Sequence, residues 1–342
     1  MASTLQRTLI DWSRWQDDDR TTAFPDLAKA TANGVDGHMF RAGRGHDLDP
    51  DFARFVAEAR RVKRPWGAYW WPEPCLSSPT EQARLTWTTV RAAGRPQLPL
   101  EVDVEGHRGE KPGAVAAFRP LSPGELATWL RSYIDELRRL SGGAHISIYT
   151  ADWYWDAHVA PAPISFADCD LHVAHYLPGT PPEPAAQWST WIGDRRPDMP
   201  KGWTVWSAWQ FSAEHNGAGP TYGAESADLD LNVVRDDAWR RWTASGTPVP
   251  EAVVEVAVAK LPEVRAGMTG QQTRIVQALV NVHLAAAGRP LIAEDGRWSP
   301  SATSATGKAL VWFQDRNGLA ADGKVGRRTW SVLLGLPPDP PG

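Results

Sequence analysis

The segment Leu98–Gly106, LPLEVDVEG, sets three acids, Glu101, Asp103 and Glu105, in alternation with Val102 and Val104. Alternate residues of a strand share a face, so Asp103 and Glu105 project together with Cα atoms about 6.7 Å apart. Two carboxylates on one face oppose each other's ionisation, which raises the pKa of at least one of them. A protonated acid beside an ionised partner is what general acid catalysis at a glycosidic oxygen requires. The same pattern also suits a solvated strand face or a pair of calcium ligands. Two further acids fall on other candidate strands: Asp11, in Leu9–Ser13, and Asp230, in Leu229–Asn232, with Asp228 as an alternative two positions away. In a closed barrel the first and eighth strands are neighbours. Asp11 and Asp230 are then expected side by side, at strand ends that face the barrel mouth.

Other chemistries find less support. His172 and His175 have the look of a metal pair, but residues three apart on a strand face opposite sides, so they are read as core or wall histidines. The chain has no H-E-x-x-H, no G-x-S-x-G and no phosphate-binding G-x-x-x-x-G-K-[ST]. Cys75 and Cys169 lack C-x-x-C spacing and read as small hydrophobes. No metal or organic cofactor is expected. A net charge of −4 argues against a dedicated nucleic-acid binder, and no apolar run approaches the roughly 18 residues of a membrane span. Met1–Arg20 shows no apolar stretch followed by a small-residue cleavage site, so no secretory signal is expected. The 19 tryptophans suit core packing or the stacking of sugar faces on aromatic rings, and composition does not choose.

The elements that must position the acids are legible as short apolar runs. Candidate strands are Arg7–Trp12, Val35–Arg41, Trp66–Trp71, Leu98–Glu105, His145–Thr150, Asp170–Tyr176, Thr204–Phe211 and Leu229–Val234. Helical spacing appears over Asp51–Val62, Thr80–Ala93 and Ser122–Leu140, the last opened by a Ser122/Glu125 capping box with Pro123 in its first turn. Helix signals thin out after Ala151. The expected fold is an irregular, TIM-like β/α barrel of eight strands with fewer helices, joined to a small C-terminal all-α domain. The expected divisions are a barrel over 1–243, a linker over 244–260, a second domain over 261–336 and a disordered tail over 337–342. From Gly267 to Leu336 there are eight basic and four acidic residues, a balance of +4 that leaves −8 for the rest. That asymmetry suits an anionic binding surface, although solvated charge has the same signature. The segment also repeats itself weakly: Asp295-Gly296 and Asp322-Gly323 are turns followed by Thr306 and Thr329.

In order along the chain, the motifs resemble glycoside hydrolase family 25, the barrel lysozymes that act as N-acetylmuramidases. Asp11-x-Ser13 opens the series, followed by FRAGRGHDLDPDF (Phe40–Phe52), WGAYWWP (Trp66–Pro72) and LEVDVEG. SIYTADWYW (Ser147–Trp155), LHVAHY (Leu171–Tyr176), WSAWQFS (Trp206–Ser212) and LDLN complete it, over about residues 7–240. The resemblance implies Glu105 as general acid, with Asp103, Asp11 and Asp230 as the other active-site carboxylates. It implies Tyr69, Trp71, Tyr149 and Trp209 as lining of a sugar groove, with Arg41 at a position where many relatives carry a basic residue. Trp12, the acid-free Arg41–Gly45 segment and Trp70-Trp71 depart from the usual pattern. Residues from about Leu261 to Gly335 resemble the small peptidoglycan-binding domain of wall hydrolases, carried by GQQTRIVQAL and by Asn317–Leu319, Asp322–Gly326 and Thr329-Trp330. The implied partner is bacterial peptidoglycan, with no nucleic acid, no membrane insertion and a monomeric state. The implied setting is that of an endolysin, held in the host cytoplasm until the membrane is breached. A non-catalytic wall lectin, or a glucosaminidase or chitinase-like enzyme on the same barrel, is the alternative.

Overall fold

The computed structural model describes residues 6–18, 20–21, 23–106, 121–244, 262–287, 289–301 and 304–333. The chain divides into two compact units, Met1–Thr86 with Pro96–Thr247 and Trp87–Arg95 with Pro248–Gly342. Apart from Ala244, the expected linker 244–260 lies outside the described residues, as does the expected tail 337–342.

In the first unit the strands are β1 (Gln6–Trp12), β2 (Gly37–Arg44), β3 (Asp47–Leu48), β4 (Trp66–Trp71) and β5 (Leu100–Asp103). They continue as β6 (Ile146–Thr150), β7 (Asp170–Ala174), β8 (Ala208–Ser212) and β9 (Asp230–Arg235). The sheet runs β1-β9-β8-β7-β6-β5-β4-β2, and β1 pairs with β2 to close it into an eight-strand barrel. The short β3 is a hairpin partner on the end of β2. Every expected strand is present, with both ends of Trp66–Trp71 unchanged and no end moved by more than four residues.

Helices α1 (Leu27–Ala32), α2 (Phe52–Arg61), α3 (Pro79–Ala93) and α4 (Pro123–Ser141) accompany the early strands. The later ones, α5 (Asp152–His158), α6 (Trp188–Ile192) and α7 (Gly219–Tyr222), are short, and α8 (Asp236–Ala244) follows β9. In α2 the buried residues Phe52, Phe55, Val56 and Ala59 recur at helical spacing and face the barrel wall. In α4 the expected capping box forms between Ser122 and Glu125, and Gly142 ends the helix at φ 69°, a left-handed conformation suited to glycine.

Strand β9 runs antiparallel to both β8 and β1, whereas the other barrel pairings are parallel. The chain between β8 and β9 holds only the four-residue α7, with no helix long enough to carry it back along the barrel. It therefore re-enters from the mouth. Asp230, placed near the start of the last candidate strand, is the first residue of β9. Reversal of that strand is what puts its first residue at the same end as the last residues of the others.

The second unit contains α9 (Gln271–Ala286), α10 (Ala305–Arg316) and α11 (Arg327–Leu333) around Val276, Leu279, Leu310, Phe313 and Trp330. It is not purely helical, because β10 (Val264–Arg265) pairs antiparallel with β11 (Lys324–Val325). Its internal repeat is real in three dimensions. Gln277 Nε2 donates to Asp295 Oδ1, Arg297 O and Thr306 Oγ1, while its Oε1 accepts from Gly296 N. Gln314 does the same with Asp322 Oδ1, Lys324 O, Thr329 Oγ1 and Gly323 N. Each buried glutamine thus pins an Asp-Gly turn to the start of the next helix. The repeated aspartates and threonines serve this packing.

Candidate active site

Alternation along the strands decides which residues meet at the mouth. Asp11 on β1, Arg41 on β2, Tyr69 and Trp71 on β4, and Glu101 and Asp103 on β5 line one cavity of about 300 Å³. Glu105, just beyond β5, joins them with Tyr149 on β6, Gln210 on β8 and Asp230 on β9. Asp11 and Asp230 are register partners across β1 and β9, as expected. Asp228 is not their substitute. Its carboxylate accepts from Gly217 N at 3.0 Å, which holds its pKa below the usual carboxylate range and ties it to the loop before α7.

All four expected acids titrate above their ordinary range, and burial is the largest cause in each. Asp11 is raised well up, with Glu101 and Asp230 adding to burial and His172 opposing it. Asp103 is raised well up by burial, then by Glu105 and Glu101, against Arg44 and Arg41. Glu105 is pushed to about 7 by burial, then by Asp230 and Glu214, against Arg44. Asp230 reaches about 6 through burial, with His172 pulling it down. Repulsion between Asp103 and Glu105, the cause expected from the D-x-E spacing, is therefore secondary to desolvation. Asp11 Oδ1 and Asp103 Oδ1 have no hydrogen-bond partner among the described residues, so both remain able to accept from a ligand. Among the described residues no group of three or more His, Cys, Asp or Glu side chains is arranged to hold a metal ion.

The expected groove residues divide. Tyr149 Oη donates to Gln210 Oε1 at 2.7 Å, and Gln210 Nε2 donates to Asp11 Oδ2 at 3.3 Å, so the phenol and the carboxylate are held in one network. Trp71 is fixed by its Nε1–H to Gly106 O at 2.7 Å and by the Arg44 guanidinium 4.0 Å from its ring centre. Arg41 faces the cavity while Asp49 Oδ2 accepts from its Nε at 2.8 Å and pairs with Nη2 at 2.7 Å. Trp209 is the exception. It is completely buried, outside the barrel, with its Nε1–H donated to His175 O at 2.7 Å and Trp206 beside it. The period of two on β8 turns Gln210, not Trp209, to the mouth. Trp12, Trp66, Trp70 and Trp188 are likewise fully buried packing residues.

Several mouth residues were not singled out from sequence. Gln210 was signalled only by its place between Trp209 and Phe211 on an alternating strand. Trp15, 68% exposed, stands at the cavity rim, and Glu214 faces in from the loop after β8. Tyr176, 54% exposed, donates its hydroxyl to Gln210 Oε1 at 2.9 Å. Below the acids, His172 is buried between Glu101 and Asn232. Its separation from His175 is as expected, since the latter lies past the end of β7, near Asp198.

A closed barrel whose mouth gathers buried carboxylates, one of them poised near neutral pH and backed by fixed aromatics, defines a glycoside hydrolase. Residues 10–219 match the glycosyl hydrolases family 25, and the chain belongs to that family. Residues 279–333 match a peptidoglycan binding domain. Among solved structures, the chain is similar to the bacterial lysozyme from Streptomyces coelicolor, at 21% identity and TM-score 0.53, over 70% of this chain and 98% of that one. It is also similar to a muramidase from Acremonium alcalophilum, at 21% identity and TM-score 0.50, over 70% and 100% of the two chains. A family GH25 lysozyme from Aspergillus fumigatus matches at 19% identity and TM-score 0.50, over 70% and 99%. At these identities the likeness concerns the barrel fold. No curated protein sequence matches the chain.

Proposed function

We propose that this glycoside hydrolase is a muramidase that cleaves the β-1,4 bond between N-acetylmuramic acid and N-acetylglucosamine in bacterial peptidoglycan. The observation that carries the reading is Glu105, a carboxyl held at about 7 at a cavity it shares with Asp11, Asp103 and Asp230. An acid of that pKa is half protonated near neutrality, which suits proton donation to a leaving alkoxide.

In the proposed reaction Glu105 gives its proton to the glycosidic oxygen as the C1–O bond breaks. Asp103 orients the 2-acetamido group of the sugar, whose carbonyl oxygen closes on C1 to form a cyclic intermediate. Water then adds at C1 and returns a proton to Glu105, which restores the free acid. Asp230, whose pKa of about 6 lies below that of Glu105, faces the positive charge that develops on the sugar, and Tyr149 and Gln210 hold Asp11 in place beside it. Arg41, Tyr69, Trp71 and Tyr149 are assigned to sugar binding. The peptidoglycan binding domain would keep the barrel on its insoluble substrate. This pairing of modules supports a wall-lytic task, and the chain is assigned the role of an endolysin that opens the host wall from the cytoplasmic side.

The test is digestion of purified peptidoglycan, borohydride reduction and mass spectrometry of the reduced ends, with Glu105→Gln in parallel. Reduced muramic acid from the unsubstituted chain, with a rate loss of about 10²–10⁴ for Glu105→Gln, is the expected result. Reduced glucosamine would make it a glucosaminidase. No new reducing end on several wall types would make it a lectin.

A further inference from the structure

Beneath the carboxylates of the mouth lies a group that the proposed reaction does not itself consume. His172 on β7 is fully buried, with Nδ1 2.9 Å from Glu101 Oε2 and Nε2 2.8 Å from Asn232 Oδ1. The amide of Asn232 can face only one way, because its Nδ2 donates to Leu9 O at 3.2 Å and Asp230 O at 3.3 Å. What it turns toward Nε2 is therefore an oxygen, which accepts and cannot donate. With a carboxylate at Nδ1 and an amide oxygen at Nε2, both ring nitrogens donate, and an imidazole that donates twice is a cation. Tyr149 packs edge-on against the ring at 5.2 Å. Another fully buried histidine of the barrel shows the contrast. His38 Nδ1 accepts from Trp12 Nε1 at 3.0 Å, Nε2 has no partner among the described residues, and burial depresses its pKa to about 3.

We propose that His172 is a positioning residue of the hydrolase: a buried imidazolium, clamped between Glu101 and Asn232, that favours the ionised forms of Asp11 and Asp230 and spares Glu105. The titratable groups around it are Glu101 on β5, with Asp103 next along the same face, Tyr149 on β6, Asp11 on β1 and Asp230 on β9. On β8 its register partner is the uncharged Ala208. Burial alone would discharge the ring, but Glu101, Asp11 and Asn232 reverse that and raise its pKa to about 9. The cation in turn lowers Asp11 and Asp230 against their own burial. Glu105 takes its shift from burial, Asp230 and Glu214, opposed by Arg44, and owes nothing comparable to His172. A charge that acts on Asp230 and spares Glu105 separates the protonation states of these two acids.

The inference rests on the reading of Glu105 as the acid and has its own readout. In the full-length chain, His172→Gln keeps a neutral hydrogen-bonding side chain and removes the cation. On soluble glycan fragments, the acid limb of the kcat/KM–pH profile, set by Asp230, is expected to move up by about one pH unit or more. The alkaline limb, set by Glu105, is expected to stay in place. Limbs that are both unmoved, or both displaced equally, would overturn the proposal. A second measurement needs no substitution: ¹⁵N NMR of histidine-labelled native chain is expected to show His172 protonated on both nitrogens at neutral pH, losing its proton at about 9. A neutral His172 at pH 7 would overturn the proposal even where His172→Gln does not fold. Undiminished hydrolysis by Glu105→Gln would instead sink the acid assignment while leaving the NMR result intact, so the two failures are distinguishable.

Discussion

Glu105 and Asp103 stand two positions apart, and both reach one mouth although Glu105 lies just past the end of β5. Their titration was less legible, because desolvation is its largest cause and burial is created by residues from every other strand. Trp209 failed for the complementary reason. It sits within an aromatic-rich motif, and aromatic type suggests sugar binding, but the face of a strand is set by parity rather than by type. Gln210, the next residue, has the parity that reaches the cavity. The consequence is measurable. Trp209→Ala is expected to destabilise the barrel by about 3–5 kcal/mol, read from denaturant unfolding. The KM of the molecules that remain folded, on soluble glycan fragments, should be unchanged. A several-fold rise in KM without loss of stability would return Trp209 to the groove.

Among elements, α4 was the most readable, since its capping box, first-turn proline and terminal glycine all lie within its own sequence. Strand β9 was readable as a strand but not in direction, which depends on the absence of a returning helix after β8. The repeated turns of the second unit were visible as Asp-Gly pairs; their purpose emerged only with Gln277 and Gln314, which lie on preceding helices. Gln314→Leu would strand Gly323 N–H, while Asp322, Lys324 and Thr329 would keep only the bonds they make to one another. At roughly 1–3 kcal/mol for a backbone donor left unpaired, a loss of about 2 kcal/mol from the second unit is expected. A lowered unfolding midpoint of that unit, with wall binding lost before hydrolysis of soluble fragments, would bear this out. An unchanged midpoint would show the glutamine to be dispensable.

For the molecule as a whole, the mouth ties stability to pH. Folded Glu105 holds its proton to about pH 7 against an ordinary 4.5, so its contribution is complete below 4.5 and lost as pH rises through 7. Asp230 acts in the same sense between 3.8 and about 6, and His172 between 6.5 and about 9. His38 has the opposite sense, since its neutral folded form loses stability as pH falls from 6.5 toward about 3. The melting midpoint of the barrel is therefore expected to fall steadily from pH 6 to pH 9. Glu105→Gln should remove on the order of 1 kcal/mol of that decline. A midpoint that climbs over the same range would contradict the assigned shifts.

What the sequence determined by itself is whatever depends on near neighbours: strand parity, helical spacing, caps, turns, and the order of motifs that marks the family. The tertiary structure decided the reversal of β9, the exclusion of Trp209 from the cavity, the desolvation of four carboxylates and the charge of His172. Glu101 and Asn232 lie 71 and 60 positions from His172, and no local pattern links them. Closure of the barrel removes water from all three at once, and the loss of that solvent turns three ordinary polar residues into a clamped ion pair.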